Sequence, residues 1–236
     1  MMVAEKTVGI IGGMGPEATV ELFRRIVRYT PAQRDQDHLH ILIDNNPKIP
    51  DRTKAILGEG PSPLPALITS ARRLQQLGAD FLVIPCNTAH YWLPQLRSYI
   101  DVPVLDMVQE TTNMVASAGF RKVGLLATTG TVYSGVYHKA AQDAGIVLLT
   151  PSTESQQVIM HAIYSIKAGN YEVYDNIIYV IYELLTQKAE AVILGCTELS
   201  ILLATNIKNV ICPLFDALDI LAQKVVRYAK QAKAIN

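Results

Sequence analysis

The sequence predicts an α/β protein of two related lobes, each a roughly four-stranded parallel sheet flanked by helices. Three observations carry that prediction. Short apolar runs alternate with longer segments of helical period, as crossovers between parallel strands require. The runs recur in register, so the second half of the chain repeats the first. Polar and glycine-rich clusters fall at the carboxyl ends of the runs, where ligands sit in open α/β sheets.

The expected strands are residues 7–12 (TVGIIG), 39–44 (LHILID), 81–86 (FLVIPC), 102–106 (VPVLD), 122–128 (KVGLLAT), 146–150 (IVLLT), 191–196 (AVILGC) and 210–215 (VICPLF). Between them Leu67, Ala71, Leu74 and Leu77 recur at the spacing of one helix face, as do Val173, Ile177, Ile181 and Leu184. VGIIGGMGP from Val8 returns as VGLLATTGT from Val123, an offset of 115 residues. At an offset of 110, Cys86 meets Cys196, Pro103 meets Pro213 and Asp106 meets Asp216. Parallel sheets generate similar apolar strands, but strands alone do not put cysteine, proline and aspartate in step. The implied lobes are residues 1–108 with a returning 214–236, and residues 109–213.

Composition narrows the function. Half of the 236 residues are hydrophobic, enough for a sizeable core. Lys plus Arg equals Asp plus Glu at 21 each, so no net charge draws the chain to nucleic acid or an anionic membrane. No apolar stretch is long enough to span a membrane, and the N-terminus lacks a signal-peptide pattern, so a cytoplasmic protein is expected. The three cysteines, Cys86, Cys196 and Cys212, then read as free thiols. Metal binding is disfavoured: there is no C-x-x-C, and five histidines are scattered.

In GIIGGMGPEAT, residues 9–19, Gly13-x-Gly15-x-x-Ala18 satisfies the loose dinucleotide fingerprint, and Asp44 offers a ribose acid. The repeat partner lacks the fingerprint, and Pro16 reads as a first-turn proline. The glycines are therefore read as bringing backbone N–H groups up to a small carboxylate, with Met14 in the wall.

Cys212, inside an apolar strand, reads as a core residue. Cys86 and Cys196 occupy equivalent strand ends, each followed by polar residues. A thiol titrates near ~8.5, within reach of neutrality. One thiolate could remove a proton from a carbon acid while the opposite thiol supplies one to the other face, which inverts a stereocentre. Arg52, in a loop stiffened by Pro47 and Pro50, is either a carboxylate grip or a surface arginine. Lys167 by itself reads as complementing a helix C-terminus. Asn87, Thr88, Thr128, Thr129, Thr131 and Thr197 are carboxylate donors or turn and capping residues. Glu198 orients its neighbours, binds an ammonium or caps a helix, and His90 packs or caps.

GGMGPEAT, NNPKIPDR, PCNTAH and LGCTEL, in this order and spacing, resemble the cofactor-independent aspartate/glutamate racemase family, in particular its aspartate racemase branch. The resemblance runs over essentially the whole chain. It implies two flavodoxin-like lobes with the site between them, racemisation by Cys86 and Cys196 without pyridoxal phosphate or any other cofactor, and a homodimer. It implies that Arg52 and Lys167 bind substrate carboxylates, with Thr53 and Lys54 near that loop, and that Met14, Asn87, Thr88, Ala89, Thr129 and Thr197 line the pocket. The glutamate racemase branch opens with Asp-Ser-Gly and has His after the second Cys-Thr; here the opening is Gly-Gly-Met-Gly and Glu198 follows Thr197. The expected substrate is thus a small acidic amino acid, aspartate first and glutamate second. Rival readings are an isomerase of a hydantoin or maleate type, and a two-lobed small-acid binding protein with inert cysteines.

Overall fold

The structure, a computed structural model, describes residues 5–206, 210 and 212–231. The first half holds β1 (Val8–Gly12), α1 (Pro16–Tyr29), β2 (Ile41–Asn45), α2 (Arg52–Ile56), α3 (Leu64–Gln76), β3 (Phe81–Val83) and α4 (Leu93–Arg97). After α5 (Met107–Ser117) come β4 (Lys122–Ala127), α6 (Thr129–Ser134), α7 (Val136–Asp143), β5 (Val147–Leu149), α8 (Thr153–Lys167) and α9 (Tyr174–Thr186). The chain closes with β6 (Ala191–Gly195), α10 (Thr197–Asn206), β7 (Leu214–Asp216) and α11 (Ala217–Ala229).

Two parallel sheets result, ordered β2-β1-β3 and β5-β4-β6-β7. The central strands β1 and β6 are buried along their whole length, which is why VGIIG and AVILG are apolar runs without alternation. The edge strands β2 and β5 are partly exposed. Each sheet carries apolar helices on both faces. Leu22, Ile26, Leu221 and Val225 of α1 and α11 cover one face of the first sheet, and Leu67, Ala71 and Leu74 of α3 the other. In the second, Ile163, Ile177 and Ile181 of α8 and α9 oppose Tyr137 and Ala141 of α7. The last strand therefore lies in the second sheet while the last helix returns to the first.

The expected strand at residues 102–106 is reduced to a single bridge, Leu82 to Val104. Two hydrogen bonds hold it, from Leu82 N–H to Pro103 O at 2.8 Å and from Leu105 N–H to Leu82 O at 3.0 Å. Its ladder stops there because β3 ends at Val83, before Pro85, which has no N–H and disfavours continuation. The strand expected at residues 210–215 is observed as Leu214–Asp216, and residue 211 lies outside the described residues. Among the described residues, no helix is long and apolar enough to cross a membrane.

Candidate active site

The turns after β1, β3, β4 and β6 converge with the start of α2 and the end of α8. Between them lies a narrow cavity whose wall includes Met14, Arg52, Thr53, Cys86, Lys167 and Cys196. Asn87, Thr88 and Thr197, also expected, lie on the same wall, and Asp51, Thr128, Ile163, Tyr164, Gly195 and Glu198 add to it. About 20 Å³ remains for the centre of a water molecule, room for one water and not for an amino acid.

The opening glycines serve packing and approach. Gly13 has φ +93, and a Cβ there would lie 2.3 Å from the Asn46 backbone, so the first turn closes against the end of β2. A Cβ on Gly15 would lie 3.6 Å from Glu198 Oε1, so this turn faces a carboxylate that the protein itself supplies.

Both cysteines are buried, at 6% and 5% exposure, and each is free. Cys86 follows Pro85 in a tight turn, its N–H bonded to Ile84 O at 2.8 Å. His90 fixes that turn: its Nδ1 donates to Cys86 O at 2.9 Å, because Nε2 accepts from Met107 N–H at 3.1 Å. Burial holds the His90 imidazole below its usual pKa and so neutral. Thr88 Oγ1 meets Thr128 Oγ1 at 2.9 Å and Thr131 Oγ1 at 2.8 Å, joining the halves through hydroxyls. Asn87 Oδ1 accepts from Tyr137 OH at 2.7 Å.

The Cys196 side is charged. Cys196 Sγ donates to Glu198 Oε2 at 3.0 Å, Thr197 Oγ1 donates to the same oxygen at 3.3 Å, and Lys167 Nζ lies 3.5 Å from Oε1. Burial pushes the Cys196 thiol well above its usual pKa, and Glu198 adds to the rise against the pull of Lys167. Burial opposes the Lys167 ammonium, but Glu198 and then the two cysteines outweigh it and raise its pKa.

Arg52 opens α2 with its guanidinium folded inward, donating to Ile49 O at 3.2 Å, Pro50 O at 3.0 Å and Met14 O at 3.5 Å. Its Nε and the Nδ2 of Asn87 are buried donors with no partner among the described residues. Two unanswered N–H groups on one cavity wall suit an anionic oxygen ligand, since an orphaned buried donor is costly. Among the described residues, no three His, Cys, Asp or Glu side chains group as a metal site.

Three expected residues lie off the cavity wall. Lys54 points to solvent from α2, with its N–H capped by Asp51 Oδ1 at 2.9 Å. Ala89 is buried in the core with Leu93 and Leu96. Thr129 turns away, its N–H against Met160 Sδ at 3.1 Å and its Oγ1 3.5 Å from Gln156 Nε2. Two polar wall residues went unnoticed in the sequence, Asp51 and Tyr164. Their signals are adjacency to Arg52 and the i, i+3 spacing to Lys167 on α8.

The chain matches the Asp/Glu/hydantoin racemase family over residues 11–225. It is 29% identical over 224 residues to the broad specificity amino-acid racemase RacX of Bacillus subtilis, covering 93% of this chain and 96% of that one. Its structure resembles the Picrophilus torridus aspartate racemase with a TM-score of 0.85 and 32% identity, covering 97% and 96% of the two chains. A glutamate racemase from Campylobacter jejuni shares the fold, with a TM-score of 0.68 at 17% identity over 98% and 88%. With its two parallel sheets and the cleft between them, the chain belongs to the Asp/Glu/hydantoin racemase family.

Proposed function

We propose that the protein is a cofactor-independent racemase interconverting L- and D-aspartate, with glutamate as a second acidic substrate, through Cys86 and Cys196. The observation that carries this reading is the arrival of two buried thiols from equivalent strand ends on one cavity wall, beside Arg52 and Lys167. One cysteine, as thiolate, takes the α-proton: the Cα–H bond breaks and an S–H bond forms. The other, as thiol, gives its proton to the opposite face and is left as thiolate. Turnover in one direction thus exchanges the roles of the two sulfurs.

The α-proton of an amino acid is weakly acidic, so the carbanion needs support. Lys167 and the unpartnered Arg52 Nε and Asn87 Nδ2 hold the carboxylates in this reading, and the narrowness of the cavity limits solvent around them. A homodimer and a cytoplasmic location belong to the same proposal and rest on likeness to the family.

The test uses Cys86→Ser and Cys196→Ser with each aspartate enantiomer in D2O. Each variant is expected to lose racemisation by at least about 10²-fold, while one retains α-proton exchange from a single enantiomer. Full racemisation by either variant sinks the two-base reading. A panel of L-amino acids, hydantoins and maleate, motivated by the broad specificity relative, then sets the substrate. Turnover of one of these without turnover of aspartate or glutamate replaces the assignment.

A further inference from the structure

Glu198 is 4% exposed, yet both of its oxygens touch groups that a substrate would need. Oε1 faces Lys167 at 3.5 Å, and Oε2 accepts from Cys196 at 3.0 Å. At the offset of 110 the corresponding residue is Thr88, which bonds hydroxyls and neither a thiol nor a cation. The turn itself therefore does not demand a carboxylate at this position.

The free space points the same way. Beside the 20 Å³ cavity lies an outer chamber of about 330 Å³ with Gly13, Gly15 and Pro47 in its wall. The two spaces share Asp51, Arg52, Lys167 and Glu198, so the Lys167–Glu198 pair stands on the boundary between them. An acid passing from one space to the other would cross this pair, together with Arg52 and Asp51. Glu198 neutralises an ammonium that would be costly to bury alone. A substrate carboxylate makes that neutralisation redundant and places a second anion on the same cation.

Building on the racemase reading, we infer that Glu198 is a placeholder for the substrate carboxylate. It holds Lys167 and the Cys196 thiol and gives up Lys167 when an acid enters. It acts through these two groups and is a positioning residue. A neutral analogue has no anion to exchange for it and is refused.

The test needs no turnover. Succinate, which has no stereocentre, is titrated calorimetrically into the full chain, with succinamide as the neutral control. Glu198→Gln is expected to bind succinate at least about ten-fold tighter than the native protein, and Lys167→Met to weaken binding in both backgrounds. In parallel, iodoacetamide alkylation of Cys196 is followed by peptide mass spectrometry across pH. Its midpoint is expected to fall by about one unit in Glu198→Gln, because a negative neighbour is gone. The other titratable and charged groups on that wall, Asp51, Arg52, Cys86, Tyr164 and Lys167, stay in place.

Glu198→Ala repeats both measurements should the glutamine variant not fold. Unchanged or weaker succinate binding, no binding by any variant, or an unmoved alkylation midpoint overturns the placeholder. Both shifts in a protein that does not racemise aspartate would leave the placeholder standing and remove the racemase reading. A racemising protein without the shifts removes the placeholder alone.

Discussion

The turn that carries Cys86 is fastened by neutral groups, whereas the turn that carries Cys196 is fastened by charged ones. The contrast is sharpest four residues after each cysteine. His90 ties Cys86 O to the N–H of Met107, the first residue of α5. Ser200, its repeat partner, gives its N–H to Cys196 O at 3.4 Å and its Oγ to Asp216 Oδ1 at 2.6 Å, at the start of α11. Both links fasten the cysteine-bearing turn to a later helix of the same half, α5 or α11. One uses a neutral imidazole, the other a carboxylate held by Arg25 from α1. The two halves keep the geometry of the fastening while its chemistry differs.

The largest effect is expected from breaking the charged fastening. Arg25 is 5% exposed and donates to Asp216 Oδ2 at 2.6 Å, Glu21 Oε1 at 2.6 Å, Asp219 Oδ1 at 3.3 Å and Ser200 O at 3.3 Å. Arg25→Ala leaves largely buried carboxylates without their cation and should lower stability by about 3–5 kcal/mol in urea unfolding. Arg25→Lys should recover part of it, because one ammonium cannot reproduce the fork. A loss below about 1 kcal/mol would show that the network is not what holds α10 and α11 together.

The neutral fastening is expected to matter less and to show a pH signature. His90→Gln should cost about 2 kcal/mol, since a flexible amide cannot hold a donor at Cys86 O and an acceptor at the Met107 N–H where the rigid ring holds both. Burial, working against Asp106, lowers the native pKa of His90 below its unfolded value. Its stabilisation is therefore complete above the unfolded pKa near ~6.5 and is lost as pH falls, because the unfolded chain binds the proton first. Native protein should lose up to about 1.4 kcal/mol per pH unit below that point relative to His90→Gln. Parallel pH curves for the two proteins would contradict a neutral buried imidazole.

The repeat was readable from the sequence because its markers each do one backbone job. Pro103 and Pro213 offer carbonyls to Leu82 and Val192 N–H at 2.8 and 3.0 Å, and Asp106 and Asp216 cap α5 and α11. Proline and a capping aspartate leave the same trace wherever such a joint recurs. The missing fourth strand turned on Pro85, which stands where β6 has Gly195, a difference of one residue inside an otherwise apolar run. The cysteines and Lys167 were visible as residues, but their environments were not. Whether Lys54, Ala89 or Thr129 reaches the cavity depends on the facing of one short turn, and Tyr164 counts because α8 ends at the cleft.

Equivalent glycines sharpen the comparison at the next level. A Cβ on Gly130 would lie 2.8 Å from Thr53 Cα and Oγ1, across the cleft, whereas one on Gly15 has 3.6 Å to Glu198 Oε1. Gly15 has φ −101, which any residue adopts. Gly130→Ala should therefore cost about 1–3 kcal/mol and raise KM by displacing the Arg52–Thr53 turn. Gly15→Ala should stay within about 0.5 kcal/mol in stability. Equal effects at the two positions would mean that the close approach of α6 to α2 does not hold the cleft.

The smallest effect is expected at Tyr164, whose hydroxyl reaches from α8 to Asp51 Oδ2 at a long 3.4 Å. The side chain is 44% exposed, so water replaces the bond when it is removed, and Tyr164→Phe should leave stability within about 0.5 kcal/mol. Its ring remains 6.0 Å from Lys167 Nζ in the native geometry, a contact that phenylalanine keeps. What the variant loses is one tie between the Lys167 helix and the Arg52 turn. If Tyr164 serves only to align these two cations, KM for aspartate should rise about two-fold with kcat unchanged, because uniform binding is what has been weakened. A ten-fold fall in kcat instead would place the hydroxyl at the reacting atoms.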